Sequence, residues 1–221
     1  MRAPGTPTAT PWRSRRPLLL LALLGLVLAA LLASQARPAA AGGKPTPLTP
    51  SQRSAATVDR QVAEALAANP GSRRISPTSV LLAPGVVMTV PGPVTAGATM
   101  TVPLQGGKQV TVAATDTSCA SGWLCMWQHI YRGGAKLAFY YCRTEYLSNY
   151  YISAGNDWRD DISSIWNNQY GGVVSGFYDW KFLGYRLVGY LSAGNYLQDL
   201  TRDRAADGGN WNDRIDQVAV C

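Results

Sequence analysis

The chain has 221 residues, with 20 Lys or Arg against 13 Asp or Glu, and its formal charge of +7 invites an anionic partner. Five of those cations, Arg2, Arg13, Arg15, Arg16 and Arg37, lie in the first 41 residues with no acid among them, which leaves +2 for the remainder. Residues 118–221 carry nine Lys or Arg against ten Asp or Glu, so no basic stripe forms there and the composition argues against nucleic acid.

Taken in chain order, Arg13, Arg15 and Arg16 precede an apolar run from Leu18 to Ala33, and Ala39-Ala40-Ala41 follow just before Gly42. This arrangement predicts an export signal over residues 1–41, cleaved at the small residues. The apolar run of 16 residues falls short of the ~20 needed to span a bilayer, and no other run is longer. The expected mature protein is secreted, extracellular and not membrane-embedded.

Residues 42–117 form a leader rich in Pro, Thr and Ala. Within it, Val58, Val62, Ala65 and Leu66 recur at helical spacing, with Ser54 or Thr57 as candidate caps and Asn69-Pro70-Gly71 as a stop, predicting a helix over about 55–69. Ser79 to Leu82 and Val86 to Val90 flank Pro84-Gly85 and predict a hairpin over about 79–90. A second hairpin is expected from Met100 to Leu104 and Val110 to Ala113 around Gly106-Gly107. The leader serves as a pro-segment or a spacer; composition does not choose between them.

Of the 21 aromatic residues, Trp12 alone precedes residue 118, so the capacity to bury a large core begins there and sets a domain over 118–221. Its apolar stretches are short and broken by Gly, Asn, Ser or Asp: 123–127, 137–141, 162–166, 173–178, 185–190 and 215–220. None sustains helical periodicity over three turns. The expected domain is all-β, with a Greek-key sandwich as its closure.

All four cysteines, Cys119, Cys125, Cys142 and Cys221, fall in this domain, an even number suited to an oxidising compartment. Of the three pairings that four cysteines allow, the favoured one joins Cys119 to Cys125 across a short loop and Cys142 to Cys221 across a long one. A zinc site is disfavoured because His129 is the only histidine.

The domain also says nearly the same thing twice. Trp127, Tyr131, Arg132 and Gly133, followed by Trp158-Arg-Asp160-Asp161-Ile162-Ser163-Ser164-Ile165, align with Tyr178, Phe182, Leu183 and Gly184, followed by Trp211-Asn212-Asp213-Arg214-Ile215-Asp216-Gln217-Val218. An aromatic, three residues, an aromatic, one residue and a glycine suit a strand that folds back on itself. The glycine supplies a positive φ, and the two rings are expected to pack across the bend. The later element sets carboxylates in a turn just before a strand. Such a turn ligates a hard cation through its oxygens, or it uses Asp and Ser to bond nearby amides, and both readings stand.

These residues resemble the βγ-crystallin Greek-key motif. Cys119-Ala-Ser-Gly122-Trp-Leu-Cys125-Met-Trp127 at the front is similar to the start of the actinobacterial βγ-crystallin-like peptidase inhibitors of the Streptomyces metalloproteinase-inhibitor type. The leader is similar to segments preceding that domain, through Ala68-Asn-Pro70-Gly-Ser-Arg-Arg-Ile75-Ser-Pro77 and Val86-Val-Met-Thr89. The resemblance implies a secreted, non-enzymatic protein with a two-Greek-key β-sandwich that occludes a secreted protease.

It also implies calcium at the turns, with candidate ligands Asp160, Asp161, Ser163, Asn212, Asp213 and Asp216. The family turn expects two Asn or Asp, two variable residues, Ser or Thr, then Ser. Here Arg159 breaks the first copy at its head, and Asp216 and Gln217 replace the serines of the second.

Enzymatic readings fare worse. His129 lacks an evident triad partner, and adjacent Asp160 and Asp161 point to opposite faces of an extended chain, unlike the facing carboxylates of glycoside hydrolysis. Within the inhibitor reading the Cys119–Cys125 loop is the short bridged loop on offer as a contact. The alternatives to inhibition are a calcium-binding or carbohydrate-binding cell-surface module and a secreted antimicrobial protein.

Overall fold

The computed structural model describes residues 49–93 and 97–221; the export signal expected at 1–41 lies outside them. The first element is helix α1 (Pro50–Ala68). It begins a turn earlier than the sequence suggests because Thr49 and Gln52 form a capping box and Pro50 occupies the first helical position. Val58, Val62 and Ala65 are buried along one face. At the far end the Asn69 amide donates to the Tyr151 carbonyl at 2.7 Å, and its Oδ1 accepts from the Tyr151 amide at 2.9 Å. Two hydrogen bonds thus dock the helix end against a distant strand. Among the described residues, no helix is long and apolar enough to cross a membrane.

Strands follow throughout: β1 (Arg73–Arg74), β2 (Ser79–Ala83), β3 (Val86–Thr89), β4 (Thr99–Pro103), β5 (Gln109–Ala113), β6 (Trp123–His129), β7 (Gly133–Phe139) and β8 (Thr144–Tyr146). Beyond these lie β9 (Tyr151–Ser153), β10 (Asn156–Asp157), β11 (Ser164–Asn168), β12 (Val174–Lys181), β13 (Gly184–Ser192), β14 (Tyr196–Leu197) and β15 (Gln217–Ala219). The protein is all-β apart from α1 and short 3-10 turns, and its main sheets form a sandwich. One sheet has seven strands in the order β1-β2-β3-β7-β6-β11-β14, the other four in the order β13-β12-β15-β8.

The order explains the internal repeat. In the first copy β7, β6 and β11 lie side by side, and the third strand in sequence, β8, crosses to the edge of the other sheet beside β15. In the second copy β13, β12 and β15 lie side by side, while β14 crosses back to pair with β11. Each half is a Greek key that lends its third strand to its twin. Between the sheets Leu124, Met126, Phe139, Trp158, Ile162, Ile165, Phe177, Val188, Trp211 and Ile215 are buried in one core.

The seven-stranded sheet is covered on its other face as well. There the hairpin β4–β5 packs Met100, Val102 and Val112 against Leu81, Val87, Trp123, Cys125, Trp127 and Ala138. Burial on both faces accounts for the unbroken apolar run Val86-Val87-Met88: Val86 and Met88 face one core, Val87 the other. Strand β3 pairs with β2 on one side and with β7 on the other, so the sheet runs without a break through the leader into the repeat.

The bends differ from the expected ones. In the first copy the positive φ falls on Tyr131 (55°), Arg132 (64°) and Gly134 (73°), not on Gly133. In the second it falls on Gly184 (132°). The second aromatic of each copy does not fold back onto the first: Tyr131 is 55% exposed and Phe182 94% exposed.

Candidate functional site

The two acid-bearing turns are built alike. Asp160 and Asp213 both sit in the left-handed region, at φ 53° and 50°, a conformation Asp tolerates better than most residues. The Asp160 amide donates to the Ile215 carbonyl at 3.3 Å, and the Asp213 amide to the Ile162 carbonyl at 3.2 Å. Likewise the Ser163 amide donates to the Trp127 carbonyl and the Asp216 amide to the Tyr178 carbonyl, both at 2.9 Å. Each turn is therefore pinned to its twin and to the first strand of its own copy.

Side chains then divide the two turns. Asp179, absent from the residues the sequence nominates, aligns with Gln128. It joins Asp160 and Asp216, with carboxylate oxygens of all three within 4.8 Å of one another. Asp179 Oδ2 accepts from Lys181 Nζ at 2.7 Å and Arg214 Nε at 3.0 Å, and the Trp180 amide donates to Asp216 Oδ2 at 2.5 Å. Gln128, at the equivalent position of the first copy, instead donates from Nε2 to Asp161 Oδ2 at 2.6 Å. Asn212 Nδ2 donates to Asp213 Oδ2 at 2.5 Å, and Ser163 is buried nearby in sequence order with Ile162. Of the six candidate ligands, only Asp160 and Asp216 enter the cluster; Asp161, Ser163, Asn212 and Asp213 do not.

Burial is the first cause that raises the carboxyls of Asp160 and Asp216 above the usual range, with Asp179 a repulsive neighbour of both. Burial also raises Asp161 and Asp213. Calcium needs six to eight oxygens and an excess of negative charge. The cluster supplies three carboxylates, yet a cation bound there has to displace Lys181 and Arg214 from Asp179. As built, the group is an ion network that holds the β12–β13 hairpin just below its turn.

That hairpin projects. Strands of 8 and 9 residues are joined by Phe182 and Leu183 alone, with Lys181 paired to Gly184. Phe182 is 94% and Leu183 84% exposed, and Trp180 beside them is 56% exposed. Trp180 meets Tyr185 edge-on at 5.0 Å, and Tyr185 meets Tyr146 at 5.8 Å, extending the tip into an aromatic ridge.

The corresponding bend of the first copy is tied down. The Tyr131 amide donates to the Gln198 carbonyl at 2.7 Å, and the Arg132 amide donates to Ser164 Oγ at 3.1 Å, which itself donates to the His129 carbonyl at 2.8 Å. Arg132 lies over the rings of Trp166 and Tyr196 at 5.7 and 5.3 Å. In the second copy Gln217 stands where Ser164 stands in the first, so the hydroxyl that fastens the bend is missing.

The disulfides join Cys119 to Cys125 and Cys142 to Cys221. The short bridged loop is no free contact surface: Cys119, Trp123 and Cys125 lie in the second core under β4–β5, and Ser121 alone in the loop is exposed. His129 is exposed at the end of β6.

The projecting tip was missed in the sequence because Phe182 and Leu183 read as landmarks of the repeat. The available signal was two large apolar residues at a turn, where polar residues are the rule.

Residues 112–188 match the model of peptidase inhibitor family I36, about a third of the chain, from β5 into β13 and including the tip. The match agrees with the peptidase-inhibitor resemblance carried by the repeat and the Cys119–Cys125 front. No curated protein and no solved structure matches the chain.

Proposed function

We propose that this protein is an exported, non-enzymatic inhibitor of a secreted metalloprotease, built on a βγ-crystallin-type pair of Greek keys. The observation that carries the reading is the family match over residues 112–188, which supports a peptidase inhibitor and a protease as its partner. The architecture is suited to the role. A crosslinked sandwich fixes its surface before the partner arrives, so little ordering cost opposes association. The disulfides are compatible with an oxidising, extracellular setting.

Incubation of the exported protein with a panel of metallo- and serine peptidases tests this. Loss of activity confined to metallopeptidases is the expected result. Inhibition of serine peptidases alone overturns the metalloprotease assignment, and inhibition of neither class overturns the function.

A further inference from the structure

We propose that Phe182 and Leu183, at the tip of the β12–β13 hairpin, are the anchor that enters the substrate cleft of the target, an endopeptidase whose specificity pocket takes a large apolar side chain. This inference rests on the inhibitor reading above and names the contact within it.

Four observations converge on the tip. The first is exposure: Phe182 and Leu183 are 94% and 84% exposed, the two highest values among the large apolar side chains of the described residues. Together with Trp180 and Tyr185 they present on the order of 500 Å² of apolar surface, more than half of the ~800 Å² that each partner contributes to a standard interface.

Second, the tip is held before binding. Its strands are paired to the last residue, and the Trp180 amide is fixed by Asp216 while Lys181 and Arg214 are fixed by Asp179. A preformed loop loses little conformational freedom on docking, and anchors of this kind dominate interface energies.

Third, the duplication provides an internal control. The same bend in the first copy carries Arg132 laid over two rings and is fastened by Ser164, whereas the second copy has lost the fastening and gained two apolar residues.

Fourth, cations flank the tip, and the one exposed carboxylate of the neighbouring cluster is Asp160. Lys181 and Arg186 are exposed, whereas Asp179 is buried. The matching cleft is therefore apolar within and acidic at its rim.

The test is the double variant Phe182→Ala/Leu183→Ala, compared with wild type by titration against endopeptidases that cleave beside Phe or Leu. Because both side chains are in solvent, the circular dichroism and unfolding midpoint of the variant match wild type. The inhibition constant is expected to rise by about 100-fold or more, while Tyr131→Ala at the tethered bend changes it by less than about threefold. Undiminished inhibition by the double variant overturns the anchor and leaves the inhibitor reading standing. Absence of inhibition by wild type overturns both. A wild-type dimer that the double variant dissolves, with no peptidase inhibited, assigns the tip to self-association and likewise overturns the proposal.

Discussion

Lys136 is buried in β7, yet among the described residues no carboxylate forms an ion pair with its ammonium group. Its Nζ donates to the carbonyls of Thr115 and Ser118 at 2.6 and 2.8 Å, and Trp127 Nε1 donates to the Asp116 carbonyl at 2.6 Å, so three bonds strap residues 115–118 across the sheet. Burial lowers the Lys136 pKa to about 8, against a weaker opposing pull from Asp116. In the unfolded chain the ordinary value is ~10.4, so between pH 8 and ~10.4 the unfolded state binds more protons and stability rises with pH. Below pH 8 both states are protonated and the group adds no slope. Relative to Lys136→Met, wild type should gain up to about 3 kcal/mol over this window, read by urea unfolding at a series of pH values. Parallel curves for the two proteins would contradict the assignment.

Asp160 gives a second residue-scale test. Its charged form is disfavoured by burial and then by Asp179, and Asn tolerates the same left-handed backbone. Asp160→Asn should raise the unfolding midpoint at pH 7 by no more than about 1 °C, because Asp160 is exposed and solvent screens much of the repulsion. Millimolar calcium should leave the wild-type midpoint within about 1 °C, because Lys181 and Arg214 already neutralise Asp179. A calcium-induced rise of several degrees, lost in Asp160→Asn, would make the cluster a metal site. Asp160 and Asp216 could be nominated from the sequence because a motif places them; Asp179 could not, because nothing along the chain says that a residue of β12 faces a turn more than thirty positions later.

At the scale of elements, β3 decides what the leader is. All four of its residues are buried, and it pairs on both edges. Removing residues 49–93 would strip β7 of its neighbour, uncover Leu137 and Phe139, and open an unpaired strand edge. Residues 118–221 alone should therefore bind a hydrophobic dye and lose near-ultraviolet ellipticity, as a molten state does. A cooperative, soluble 118–221 fragment with the wild-type near-ultraviolet spectrum would show the leader to be dispensable.

The helix and both leader hairpins were legible because period, caps and Pro-Gly or Gly-Gly turns are local signals. Their attachment was not, since pairing of β3 with β7 joins Val86 to Phe139 across more than fifty residues. The short strands β8, β9, β10 and β14 escaped for another reason: with only two or three residues each, none can display an alternation.

At the scale of the molecule, duplication supplies both the stability of the body and the freedom of its edge. The halves exchange their third strands and clasp each other through reciprocal amide–carbonyl bonds at Asp160 and Asp213, so neither Greek key can open alone. This symmetry was readable from Trp158 and Trp211 with their following turns. The asymmetry that bears on function came from side-chain exchanges: Gln217 for Ser164, Asp179 for Gln128, and Leu183 for Arg132.

A doubled scaffold keeps one bend folded against the body and releases the other as a rigid apolar tip. The most direct test of that account is a titration of a metallo-endopeptidase panel with the disulfide-intact protein, following residual activity. Stoichiometric loss of activity in at least one enzyme that cleaves beside Phe or Leu is predicted. Full activity of every enzyme at micromolar inhibitor would contradict it.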